Sequence, residues 1–99
     1  MAVFANITAV AVAGRVLLIE GPPGLGKSAL ALALIDRGAI LVGDDAVSIT
    51  RDRDTLLAAP PPNTCGMIEI RNVGIAELPV TEGPVALLLT LDPAAPRFP

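Results

Sequence analysis

Residues 21–28, Gly21-Pro22-Pro23-Gly24-Leu25-Gly26-Lys27-Ser28, set three glycines ahead of a lysine and a hydroxyl with the spacing of a phosphate-gripping loop. Each residue type has a task. Glycines reach backbone angles closed to other residues, which lets successive amide N–H groups converge on phosphate oxygens. A helix starting at Lys27 turns its positive end toward the same anion. Lys27 can reach β- and γ-phosphates, and the Ser28 hydroxyl can ligate Mg²⁺.

A second group capable of chemistry is Asp44-Asp45, placed directly after a short apolar run. Acids at the carboxyl end of a strand lie where an open α/β sheet gathers its ligands. One of the two could hold metal through water while the other acts as general base on an attacking hydroxyl. Gly-Asp-Asp is also an ordinary solvated turn composition, and the residues alone leave both readings open.

These groups need elements to hold them. Val3 to Val12 reads as a strand, followed by a turn at Ala13-Gly14-Arg15 and a second strand, Val16 to Glu20, which together make a hairpin. The Gly/Pro-rich stretch from Gly21 to Gly26 excludes regular structure. Lys27 to Arg37 is rich in Ala and Leu and stops at Gly38, as a helix should. Ala39 to Val42 and Val47 to Thr50 read as strands, the first running parallel to the strand that feeds the loop. Arg51 to Asp54 is a charged turn and Pro60 to Asn63 a rigid bend. Met67 to Ile70, Val73 to Leu78 and Val85 to Leu91 are further strands, and Asp92 to Pro99 is a Pro-rich exit. The order predicts an α/β domain: a P-loop nucleotide-binding core with a mixed, strand-rich sheet and one main helix after the P-loop.

Composition narrows the partners. The 99 residues allow one small core, 53% of them are hydrophobic, and the only aromatics are Phe4 and Phe98. Charged residues make up 17% against about 25% in typical domains, so apolar surface or covered contacts are expected. A net charge of −3 without a basic run argues against nucleic acid. No stretch reaches the roughly 18 apolar residues of a membrane span, and no signal sequence opens the chain. Cys65 stands alone, a small buried hydrophobe rather than part of a disulfide framework. These features favour the cytoplasm.

The run from Gly21 to Val47 resembles the catalytic core of HPr serine kinase/phosphorylase: a P-loop, a helix ending in Arg37-Gly38 and a strand ending in Asp44-Asp45. Met67-Ile-Glu69-Ile-Arg71-Asn-Val-Gly-Ile75 is similar to that family's signature, usually Glu-x-Arg-Gly-x-Gly-Ile. The likeness spans about residues 5–78 and matches the short proteobacterial type that lacks an N-terminal domain. Two departures stand out. The family has a His on the first strand where this chain has Asn6, and Asn72 replaces the first signature Gly.

The resemblance implies a kinase that moves phosphate from ATP, with Mg²⁺, to a serine of the phosphocarrier protein HPr, and that can run phosphorolysis in reverse. It implies that residues 21–28 hold the nucleotide and that Lys27 grips its β/γ-phosphates. Ser28, Asp44 and Glu69 would serve the metal, and Asp45 would take the serine proton. Arg71 would hold phosphate or order the signature loop. It further implies a homo-oligomer, a hexamer by family analogy, built from a single domain over 1–99 that is cut short at its C-terminus. Lys27 is expected in a solvent-facing loop. The alternatives are a catalytically impaired regulatory nucleotide-binding protein, motivated by Asn6 and the short C-terminus, and a small-molecule P-loop kinase. The latter lacks an Arg cluster beyond Arg51, Arg53 and Arg71.

Overall fold

The structure, a computed structural model, describes residues 2–22, 24, 26–61, 67–70 and 74–92, with 67–70 and 74–77 followed by their backbone alone. Nine strands and one helix occur among them: β1 (Ala2–Ala5), β2 (Ile7–Val12), β3 (Arg15–Glu20), α1 (Lys27–Asp36), β4 (Ile40–Gly43), β5 (Ala46–Asp52), β6 (Thr55–Ala59), β7 (Met67–Ile70), β8 (Gly74–Glu77) and β9 (Gly83–Thr90). Seven strands form one mixed sheet in the order β1-β5-β6-β9-β3-β2-β4, while β7 and β8 pair separately and antiparallel. Within the large sheet only β3 and β9 run parallel to each other as neighbours. The α/β class, the mixed sheet and the helix after the glycine-rich loop agree with expectation.

The β2–β3 hairpin closes through Ala13 and Gly14, with Val12 opposite Arg15. Both turn residues have positive φ, 52° and 79°, as a type I′ connection requires to match strand twist. Helix α1 ends in a Schellman motif: the Gly38 N–H donates to the Ile35 carbonyl and the Ala39 N–H to the Leu34 carbonyl, both at 3.0 Å.

The expected strand Val3 to Val12 is two strands. Asn6 has φ +63°, which breaks the pleat, and the halves join different neighbours: β1 pairs with β5, and β2 with β3 and β4. The chain makes a matching break between β4 and β5 at Asp45, with φ +61°. The Asn6 N–H donates to the Asp45 carbonyl at 2.8 Å, tying the two breaks together. Since β1 and β4 lie at opposite ends of the strand order, these short links curl the sheet upon itself.

Alternation along β2 and β3 then serves two cores. Ala9, Ala11, Val16 and Leu18 face inward against Val42, Val47 and Ala58, all buried. Val10 and the half-buried Leu17 face outward, where Ala31, Leu34 and Ile35 of α1 cover them. Thr55–Ala59, not anticipated as a strand, pairs with β5 throughout its length. Its Leu-Leu-Ala-Ala run carries no alternating pattern to reveal it. The exit from Pro93 onward, Cys65 and the second half of the proline bend (62 and 63) lie outside the described residues.

Candidate active site

Three strand ends meet at one edge of the curled sheet. β3 and β4 are each antiparallel to β2, so they run parallel to one another with β2 between them, as expected for the strand before the acidic pair. Their carboxyl ends deliver Gly21 and Asp44 to the same side. The start of β2 lies there too, since Ile7 pairs with Glu20 and Ala9 with Gly43.

The N-terminal end of the helix at that edge could accept an anion. Gly26 caps α1 in the left-handed conformation, φ 88°, and supplies no side-chain cap. The first turn holds no acid, so its free N–H groups and positive dipole end remain available to a ligand. Lys27 is the first helical residue and is only 6% exposed, which corrects its expected place in a solvent-facing loop. Its ammonium donates to the Gly21 carbonyl at 2.5 Å and lies 3.9 Å from the Asp45 carboxylate, whose side chain is 68% exposed.

Ser28 and Asp44 meet directly: the Ser28 hydroxyl donates to Asp44 Oδ1 at 2.6 Å. A third residue enters this cluster. Thr8, fully buried, donates to the same Oδ1 at 3.1 Å and accepts from the Asp45 N–H at 3.2 Å. Thr8 escaped sequence reasoning. The one available signal was an isolated hydroxyl at the start of the otherwise apolar run Ile7–Val12.

A further polar tie sits at the base of the loop. Thr90, at the end of β9, donates to the Glu20 carboxylate at 2.7 Å, and the Leu91 N–H donates to the Glu20 carbonyl at 2.8 Å. A Cβ on Gly21 would come within 2.8 Å of the Leu91 carbonyl oxygen, so only glycine fits beneath that crossing.

The structure therefore brings Gly21, Gly24, Gly26, Lys27, Ser28, Asp44 and Asp45 to one edge. Pro22 begins the loop there, while Pro23 and Leu25 lie outside the described residues. Glu69 belongs to β7, opposite Ile75 of β8, on a strand that passes close to α1. The position of its carboxylate and all of Arg71 fall outside the description.

Residues 3–86 match the family model described as the HPr serine kinase C-terminal domain. This chain belongs to that family. It is 46% identical over 67 residues to the HPr kinase/phosphorylase of Clostridium botulinum (strain Eklund 17B / Type B), covering 68% of this chain and 22% of that protein. The HPr kinase/phosphorylase of Clostridium acetobutylicum is 46% identical over 70 residues, 71% of this chain and 23% of the relative. The solved HPr(Ser) kinase/phosphatase from Coxiella burnetii superposes with a TM-score of 0.84 at 29% identity, over 99% of this chain and 65% of that one. The chain thus spans less than a quarter of the length of the curated relatives it matches. Among the described residues, no helix is long and apolar enough to cross a membrane.

Proposed function

We propose that this chain is the phosphoryl-transferring core of a serine kinase/phosphorylase that takes ATP, with Mg²⁺, as phosphate donor and HPr as acceptor. The observation that carries the reading is the meeting of Lys27, Ser28, Asp44 and Asp45 at the uncapped N-terminus of α1. The family membership and the names of the relatives support the choice of acceptor.

The residues present suit Mg²⁺. The metal prefers oxygen donors and commonly keeps few protein ligands, the rest being water and substrate phosphate. The hydroxyl of Ser28 and the carboxylate of Asp44 form such an oxygen pair, 2.6 Å apart, beside a helix end suited to phosphates. Bound there, the ion would neutralise charge on the transferring phosphoryl group. Glu69 would supply a further acid to it.

Lys27 leaves the Gly21 carbonyl and takes β/γ-phosphate oxygens, and the amides of residues 21–28 enclose them. Asp45 is exposed beside Lys27, where an acceptor serine would be able to approach it. It accepts the proton of the serine hydroxyl as that oxygen bonds to the γ-phosphorus. The bond from the γ-phosphorus to the bridging oxygen breaks, and ADP departs. In phosphorolysis an oxygen of inorganic phosphate gives its proton to Asp45 and attacks the phosphoserine phosphorus, the bond from that phosphorus to the serine oxygen breaks, pyrophosphate forms, and the serine oxygen takes the proton from Asp45. Arg71 would help hold the phosphate. Positioning and charge neutralisation carry this chemistry, with one base. Assembly as a homo-oligomer, six-fold by family analogy, and a cytoplasmic setting belong to the same proposal.

Incubation with γ-labelled ATP, Mg²⁺ and HPr tests it. Labelled phosphoserine is expected with the wild type and is lost in Asp45→Ala, which keeps its nucleotide affinity. Tight ATP binding without any transfer by the wild type would sink the kinase reading and leave a regulatory nucleotide-binding protein.

A further inference from the structure

Two adjacent carboxylates serve different tasks only if the backbone between them turns sharply and stays turned. Asp44 points at Ser28 and Asp45 lies toward Lys27. Their separation depends on Asp45 holding φ +61°, a conformation that L-residues adopt reluctantly. Something must hold that turn.

The side chain of Thr8 is placed to do so. A hydroxyl offers one donor and two acceptor positions. Thr8 spends its donor on Asp44 Oδ1 and accepts from the Asp45 N–H, so a single oxygen touches both acidic residues. The next peptide, after Asp45, is held as well: the Asn6 N–H donates to the Asp45 carbonyl. Thr8 lies two residues before Val10, whose side chain packs with α1 residues, and so shares the face of β2 turned toward the helix. It is fully buried, and its β-branch restricts χ1. Water cannot simply take the place of the hydroxyl, and the oxygen has little freedom to wander.

We propose that Thr8 is a positioning residue that sets the two aspartates apart, holding Asp44 on the Ser28 side and Asp45 beside Lys27. The proposal rests on the roles of Asp44 and Asp45 in the kinase reading. It assigns work to a residue that reaches the reacting groups only through them. Residues that orient metal-side carboxylates commonly matter nearly as much as the carboxylates themselves.

The test compares wild type, Thr8→Val and Thr8→Ser. Thr8→Val keeps the shape and removes the hydroxyl, whereas Thr8→Ser keeps the hydroxyl. In the metal-free and nucleotide-free protein, amide hydrogen exchange at Asp45 is expected to speed up about tenfold in Thr8→Val, with Val16 and Ile19 unchanged, and to stay near wild type in Thr8→Ser. In the transfer assay, kcat is expected to fall about 10- to 100-fold in Thr8→Val with KM for ATP little changed, and to recover in Thr8→Ser. Thr8→Ala, which adds no bulk, carries the comparison if Thr8→Val does not fold. Unaltered Asp45 exchange without the hydroxyl overturns the proposal, as does equal damage in Thr8→Ser and Thr8→Val. If the wild type transfers no phosphate, the kinase reading fails while the exchange measurement still decides whether Thr8 holds the turn.

Discussion

Lys27 shows how much of a residue's work depends on where the backbone puts it. Its ammonium is nearly buried and rests on the Gly21 carbonyl, so it waits inside the loop rather than in solvent. Lys27→Ala is expected to weaken Mg·ATP binding about 10- to 100-fold, the loss of one charge-assisted contact. Titration calorimetry measures it, and unchanged affinity would remove the phosphate role. Because the side chain is buried, the same variant is also expected to lower the unfolding midpoint slightly. The loop itself was legible in the sequence, because its glycines and lysine have few other reasons to occur at that spacing. Thr8 was not. A threonine in a strand is ordinary, and only the three-dimensional meeting of β2 with the acidic turn reveals its two contacts.

At the scale of elements, the hairpin and the helix could be read because each ends in strong local chemistry, Ala13-Gly14 for one and Gly38 for the other. The break at Asn6 could not, since Ala5-Asn6-Ile7 continues an apolar run that looks like one strand. The structure places a left-handed residue there, and asparagine tolerates that conformation better than most. Asn6→Gly is therefore expected to stay within about 0.5 kcal/mol of wild type, while Asn6→Val loses about 2 kcal/mol to steric strain. Denaturant unfolding checks both; equal stability of the two would mean that the bend between β1 and β2 does not depend on the residue at its corner. Position 6 is thus a conformational site as well as a neighbour of the acidic pair.

For the whole molecule, the order of strands was hidden from sequence reasoning, because pairing partners far apart leave no local trace. β9 has the most telling place. It lies alongside β3 over Val85 to Thr90, yet β6 reaches only Gly83 and Pro84 on its other edge. Leu87, Leu88 and Leu89 are 61%, 51% and 38% exposed, and by alternation they leave both faces of the strand bare. Apolar strands with an open edge invite further pairing. The 99-residue protein is expected to associate as its concentration rises, and Leu87→Lys with Leu89→Lys should suppress this without weakening nucleotide binding. Light scattering over a concentration series reads the outcome, and a wild type that stays monomeric throughout contradicts it.

The tie between Glu20 and the Thr90-Leu91 step has a consequence in time as well as in space. Strand β3, which delivers the phosphate loop, gains its parallel neighbour only when a segment about seventy positions later in the chain has arrived. Such distant pairings form late, after local hairpins and helices. During synthesis, β2, β3 and α1 can assemble while the ribosome is still making β9, with the root of the loop not yet fastened. On the proposed reading, a firm grip on the nucleotide therefore comes only once β9 has been made and has paired with β3.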